Sequence, residues 1–166
     1  MAKHPLPTLS IIAAASLVLV SACSGDAAPE GDGAPKAGEP EVIDARQANF
    51  KKLGDSFKAI RTQLEGDSPD MAVIESAALD LNIAALATKD QFPEGTSVAD
   101  GWDTEALATI WEKPEEFAKA HQMIADRSAE MVKLAQAGDP AAVAAYVKDL
   151  GGSCKNCHDN FRLDDG

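Results

Sequence analysis

Along four successive segments the apolar side chains return at alternating steps of three and four residues. That spacing builds helices that each bury one stripe. The first covers roughly 42–65, with Ile43, Phe50, Leu53, Phe57, Ile60 and Leu64 on one seam. Arg46 occupies a seam position and interrupts the stripe. A second helix is expected after Ser68-Pro69-Asp70, where either Ser68 or Asp70 can cap it, and it carries Met71, Ile74, Ala78, Leu81 and Ala85. Residues 92–103 read as a loop from their Gly, Pro and Asp content. A short helix over about 104–112 bears Ile110 and Trp111. Pro114 suits the first turn of the next long helix, which runs to Ala137 with Phe117, Ala120, Ile124, Met131 and Leu134 inward. Gly138 ends it as a left-handed cap, and Asp139-Pro140 opens the last helix. Its stripe is Val143, Val147, Leu150, Cys154, Cys157 and Phe161. No alternating strand pattern and no fixed-period repeat is visible. With 166 residues and only 5% aromatics, the expectation is a single all-α domain over 42–166, an antiparallel four-helix bundle.

Charge narrows the function. Asp and Glu number 27 against 15 Lys and Arg, a net −12, which repels a phosphate backbone and excludes nucleic acid as a partner. Three cysteines are too few for a disulfide scaffold.

Residues 1–22 read as a signal peptide: Lys3, then an apolar run from Ile11 to Val20, too short to span a bilayer comfortably. The following Val20-Ser21-Ala22-Cys23 resembles a bacterial lipobox, which implies that Cys23 is diacylated and becomes the first mature residue. An ordinary signal peptide with an incidental cysteine is the alternative. Residues 23–41 are then a lipidated, flexible, acidic linker. Its portion 24–41 holds no large apolar side chain and cannot offset its own ordering entropy. In the lipoprotein resemblance, Ser24 implies sorting to the outer membrane. The expected location is the periplasm, with the chain tethered to the membrane through Cys23.

The last helix carries the chemistry. Residues 154–158 are Cys-Lys-Asn-Cys-His. On a helix, Cys154, Cys157 and His158 lie on one face. Two thiols at that spacing can bond the two vinyl groups of one haem, and the adjacent imidazole can reach its iron as proximal ligand. A thioredoxin-like pair would want a βαβ setting, which is absent. A disulfide between 154 and 157 would close too small a loop to stabilise much. A zinc site lacks an obvious fourth ligand, the other mature histidine being only His121. The expected cofactor is one covalent haem c.

These residues resemble the class II cytochromes c, the cytochrome c prime family, over roughly 42–162. The stretch Cys154-Lys155-Asn156-Cys157-His158-Asp159-Asn160-Phe161-Arg162 is similar to the family's C-K-x-C-H-x-x-F/Y-R ending. Arg46-Gln47-Ala48-Asn49-Phe50 is similar to its R-Q-x-x motif followed by the distal residue, and Ile110-Trp111 and Phe117 also match. The resemblance implies that Arg46 meets a haem propionate; an ion pair with an acid on another helix is the alternative. It implies the same for Gln47, unless that amide is simply solvated. It puts the charge of Arg162 near the proximal imidazole, unless the chain end frays. Trp111 is expected to pack beside the pocket, and His121 to lie exposed on its helix flank.

The resemblance also places Phe50 over the distal face of the iron, where electron-transfer relatives carry Met. Phe has no lone pair to donate, and Met71, Met123 and Met131 are not on the first helix. The expectation is therefore five-coordinate, high-spin iron under an aromatic lid, in an apolar pocket that admits NO or CO. The implied function is single-electron transfer, reversible binding of NO or CO, or both. A six-coordinate, low-spin electron carrier is the alternative if the register differs. A haem enzyme of peroxidase or NO reductase type would want a distal acid–base pair, for which Arg46 is the only candidate, so the chain is read as a non-enzyme. Acid excess points to basic redox partner proteins. The resemblance further implies a homodimer through the first two helices.

Overall fold

The computed structural model describes residues 38–164. The expected signal peptide 1–22, Cys23 and the linker as far as residue 37 lie outside the described residues. Glu41, the last linker residue by sequence, is already helical.

Four long helices and one single turn follow. Helix α1 spans Glu41–Leu64, after Pro40 in extended conformation, with Glu41 and Asp44 in a first turn whose exposed N–H groups favour negative charge. Helix α2 spans Met71–Ala87. Its cap is Asp70, which accepts from the amides of Ala72 and Val73 at 2.9 and 3.3 Å. Helix α3 is the single turn Thr109–Glu112, and α4 spans Pro114–Gln136 with its proline in the first turn. Gly138 follows at φ 72°, the left-handed conformation that a Cβ would strain. Helix α5 spans Pro140–Phe161, capped by Asp139 on the amides of Ala141 and Ala142 at 2.9 and 3.2 Å.

Three cross-links set the order and direction of the bundle. Asn82 donates to Ser128 at 2.8 Å and Thr88 meets His121 at 3.0 Å, so α2 and α4 run antiparallel. Arg127 donates to the carbonyl of Asp149 at 2.6 Å, tying α4 to α5. Helix α1 packs on α2, α2 on α4 and α4 on α5, while α1 and α5 touch each other far less. They close on one another where Gly151 backs onto Phe57: a Cβ at Gly151 would lie 3.4 Å from that ring.

The interior has two clusters. One, near the α1–α2 and α4–α5 turns, is built on Leu53, Ile60, Ile74, Leu81, Met131, Val143 and Leu150. The other lies at the far end and joins Ala106, Ile110, Ala120 and Phe161, with Phe92, Trp111, Phe117 and Cys157 against them.

Two sequence expectations change. The short helix of about 104–112 shrinks to 109–112, because residues 105–107 turn to the end of α5 instead. Leu107 donates to the carbonyl of Phe161 at 3.0 Å and Leu163 to that of Glu105 at 2.7 Å, around an antiparallel bridge between Ala106 and Arg162. This strap satisfies backbone groups that a helix end leaves without partners. The second change concerns α2, which carries apolar side chains beyond its buried stripe: Leu79, Ile83 and Leu86 are exposed on one side, and Val73 is exposed beside α1.

Candidate functional site

Cys154, Cys157 and His158 stand on one face of α5, as their spacing requires. Both thiols are free and half-buried. Burial raises the pKa of Cys154, and burial followed by the neighbouring Cys154 pushes Cys157 up to about 11. Both shifts favour the protonated thiol. His158 titrates below the ordinary imidazole value, first through partial desolvation and then through the charge of Arg162, with Glu105 and Asp159 opposing. It presents a neutral ring nitrogen with a lone pair.

Register supplies the opposite wall. Helices α1 and α5 are antiparallel, and Phe57 meets Gly151. Seven residues back along α1 is Phe50, and seven forward along α5 is His158. Each step is about 10 Å of helix rise, so Phe50 and His158 stand at the same level of the bundle. Phe50 is 36% exposed, unlike its stripe neighbours Arg46 and Leu53. Its ring meets Phe92 edge-on with centroids 6.2 Å apart. Phe92 in turn meets Phe117 at 4.7 Å, and Phe117 meets Phe161 at 5.3 Å, both near-perpendicular. A line of four rings thus runs from α1 to the end of α5, where Cys157 packs.

Arg46 is buried, at 3% exposure. Its Nη1 donates to the carbonyl of Gln91 at 3.2 Å and to Thr96 Oγ1 at 3.1 Å. Its Nη2 donates to the carbonyl of Thr96 and to Thr104 Oγ1, both at 2.8 Å. The guanidinium carbon lies 4.8 Å from the centre of the Phe92 ring. These acceptors are neutral, so the expected alternative of an ion pair with an acid on another helix is not what holds it. Burial lowers its pKa, against Glu39, which raises it. Gln47 is exposed to solvent, as the alternative expected, and also donates to the carbonyl of Asp103 at 2.6 Å, while Asn49 donates to Gln91 Oε1 at 3.1 Å.

Arg162 does not fray. Its Nε and Nη2 both bond the carboxylate of Glu105, the latter at 2.9 Å. Trp111 lies beside the ring line and donates its indole N–H to the carbonyl of Phe92 at 3.1 Å. His121 departs from the exposed position expected for it. It is half-buried, tilted against Phe117 and bonded to Thr88.

Sequence reasoning missed Phe92, Thr96, Thr104 and Glu105. For Phe92 a signal existed, an aromatic ring inside a segment otherwise made of Gly, Pro and polar residues. For Glu105 there was none.

The donor set fits a covalent haem: two free thiols on one helix face for thioether bonds, an imidazole beside them, and aromatic rings for an apolar wall. A zinc centre fits poorly, since among the described residues no three His, Cys, Asp or Glu side chains gather into a metal-holding group.

Comparison with known proteins agrees. The sequence profile of cytochrome c' matches residues 41–162. Cytochrome c' of Pararhodospirillum photometricum is 36% identical over 126 residues, 74% of this chain and 98% of that protein. The structure of cytochrome c prime from Shewanella frigidimarina superposes with a TM-score of 0.69 at 30% identity, covering 75% of this chain and 95% of the other. A nitric oxide complex of a point mutant of cytochrome c prime from Alcaligenes xylosoxidans gives 0.68 at 26% identity, covering 76% and 98%. Helical bundle, motif and relatives converge: this chain belongs to the cytochrome c' family of c-type haem proteins, with Cys154-Lys155-Asn156-Cys157-His158 as its C-x-x-C-H motif.

Proposed function

We propose that this protein is a periplasmic carrier of single electrons that also takes up NO or CO reversibly, at a five-coordinate, high-spin iron. The observation that carries this reading is the shared level of Phe50 and His158, with a ring that has no lone pair on the side opposite the imidazole. When bound, the haem supplies one-electron redox chemistry and an iron that can take a small neutral diatomic.

The chain's own residues supply the rest. Cys154 and Cys157 hold the group covalently to α5. His158 would offer its ring nitrogen to the haem iron. Phe50, across the bundle from His158, would offer the iron no lone pair. Arg162, fixed by Glu105, keeps a positive charge near the imidazole. Arg46 and Gln47 stand on the first turns of α1, where the Arg46 charge, held by neutral acceptors, would attract the propionates. No distal acid–base pair stands near Phe50 among these residues, which supports binding and electron transfer over turnover. The nitric oxide complexes of relatives favour NO as the ligand. The acidic surface favours basic redox partners, and the exposed apolar side of α2 favours a homodimer. Anchoring through diacylated Cys23, with outer-membrane sorting, completes the proposal.

Optical and electron paramagnetic resonance spectra of the purified holoprotein test it. The ferric form should be high-spin and the ferrous form should bind CO. Phe50→Met should convert the ferric form to low spin, with a methionine–iron charge-transfer band. A low-spin wild type, or an unchanged spectrum in Phe50→Met, would overturn the placement of Phe50 over the iron.

A further inference from the structure

We infer that Phe92, held by Arg46, is the positioning residue that limits how far the Phe50 ring can swing, and so sets the rate at which a diatomic reaches the site. This rests on the proposed reading of Phe50 as lid. Phe92 belongs to the 88–108 connection, not to a helix, yet it is gripped from several sides. Its ring has the Arg46 guanidinium over one face at 4.8 Å, and Phe117 packs against it at 4.7 Å. Its carbonyl takes the indole N–H of Trp111, and the preceding carbonyl, of Gln91, takes Nη1 of Arg46. Phe50 meets it edge-on at 6.2 Å. Phe92 therefore bounds the Phe50 ring on the side that faces the 88–108 connection.

Arg46 is committed to this connection. Four of its hydrogen bonds reach residues 91, 96 and 104. Thr96 is itself fixed, its hydroxyl donating to the carbonyl of Pro93 at 2.8 Å. Gln47 and Asn49, one and three residues along α1, hold the same connection at Asp103 and Gln91. Three side chains from one stretch of α1 therefore fasten the segment that carries Phe92. Arg46 and Phe50 lie one turn apart on that helix, so clasp, backstop and lid share one rigid support. Arg46 acts through Phe92; it need not touch the ligand.

The test measures CO association with the ferrous holoprotein, together with backbone amide exchange, for Phe92→Leu, Arg46→Lys and the double variant. Each single change should raise the association rate about fivefold, the scale that one lost ring contact supports. The double variant should be no faster than the faster single one, because both act through one contact. Arg46→Lys should also speed exchange across residues 94–104. If Arg46→Lys fails to fold, Thr96→Val with Thr104→Val removes two acceptors, keeps the guanidinium, and should move rate and exchange the same way. Rates unchanged in Phe92→Leu but raised in Phe50→Leu would overturn the inference, because the lid would then swing independently. So would an Arg46→Lys protein with a shifted midpoint potential and unchanged rate and exchange, which would assign the guanidinium to a propionate alone. A high-spin wild type with either result overturns this inference only. A low-spin wild type removes the lid reading and this inference together.

Discussion

His121 shows how one residue's surroundings decide its charge. Thr88 donates its hydroxyl to the carbonyl of Ala85 at 2.8 Å, which leaves the oxygen's lone pairs for the Nε2–H of a neutral imidazole. Burial, foremost, and the nearby Lys89 hold the ring's pKa below its ordinary value, against the Ala85 carbonyl and Asp90. The native state thus binds a proton less readily than the unfolded chain does. The stabilising contribution is complete above the unfolded value of about 6.5 and is lost as pH falls below it through the native value. Melting temperature followed from pH 7.5 down to 5 should decline, and His121→Gln should decline less over that window. An equal decline in both would show that His121 does not link folding to protons. Sequence alone puts His121 on an exposed flank, since a helical wheel has no means of showing that Thr88, 33 positions earlier, comes to meet it.

At the scale of elements, helix ends are where single side chains count most. Asp139 satisfies two amides that no helical carbonyl can reach, at the start of the helix that carries Cys154, Cys157 and His158. Asp139→Ala should cost about 1 kcal/mol, lowering the melting temperature by about 4 °C, with the visible spectrum at room temperature unchanged. A thermal scan monitored by circular dichroism measures this, and an unmoved midpoint would show that the cap is dispensable. The four long helices, the Asp139 cap and the Gly138 stop were legible because periodicity and capping are local in sequence. The 88–108 connection was not. Its order comes from side chains on α1 bonding residues 42 to 58 positions away, and from a strap that pairs 105–107 with 161–163. No periodic signal precedes such contacts. For the same reason the motif on α5 was readable to the residue, while the clasp around Phe92 emerged only from the fold.

Among the described residues, α2 carries a further apolar surface. Val73, Leu79, Ile83 and Leu86 stand exposed along α2, with Ile83 at 58%. Beside them a shallow groove between α1 and α2 is floored by Ala59 and Ala77 and crossed by the Lys52–Asp80 ion pair at 3.0 Å. Leu79, Ile83 and Leu86 share one side of α2; exposed apolar side chains of this kind suit an association face, and a twofold dimer is its commonest use. Ile83→Glu should shift the sedimentation coefficient from dimer to monomer and leave the haem spectrum intact. A wild type that sediments as a monomer at all accessible concentrations would refute this assignment. The composition of α2 already hinted at it, since Met71–Ala87 holds only two charged residues, too few to wet every side not in the core.

The strap at the end of α5 has a consequence for how the molecule comes apart. Arg162 and Glu105, 57 positions apart, are joined by side chain and by flanking backbone bonds, and Phe161 between them belongs to the ring line. Residues 105–107 and the last turn of α5 should therefore open together. Opening of that strap should disturb the helix end where Phe161 and Cys157 pack. The same excursion that loosens one loosens the other.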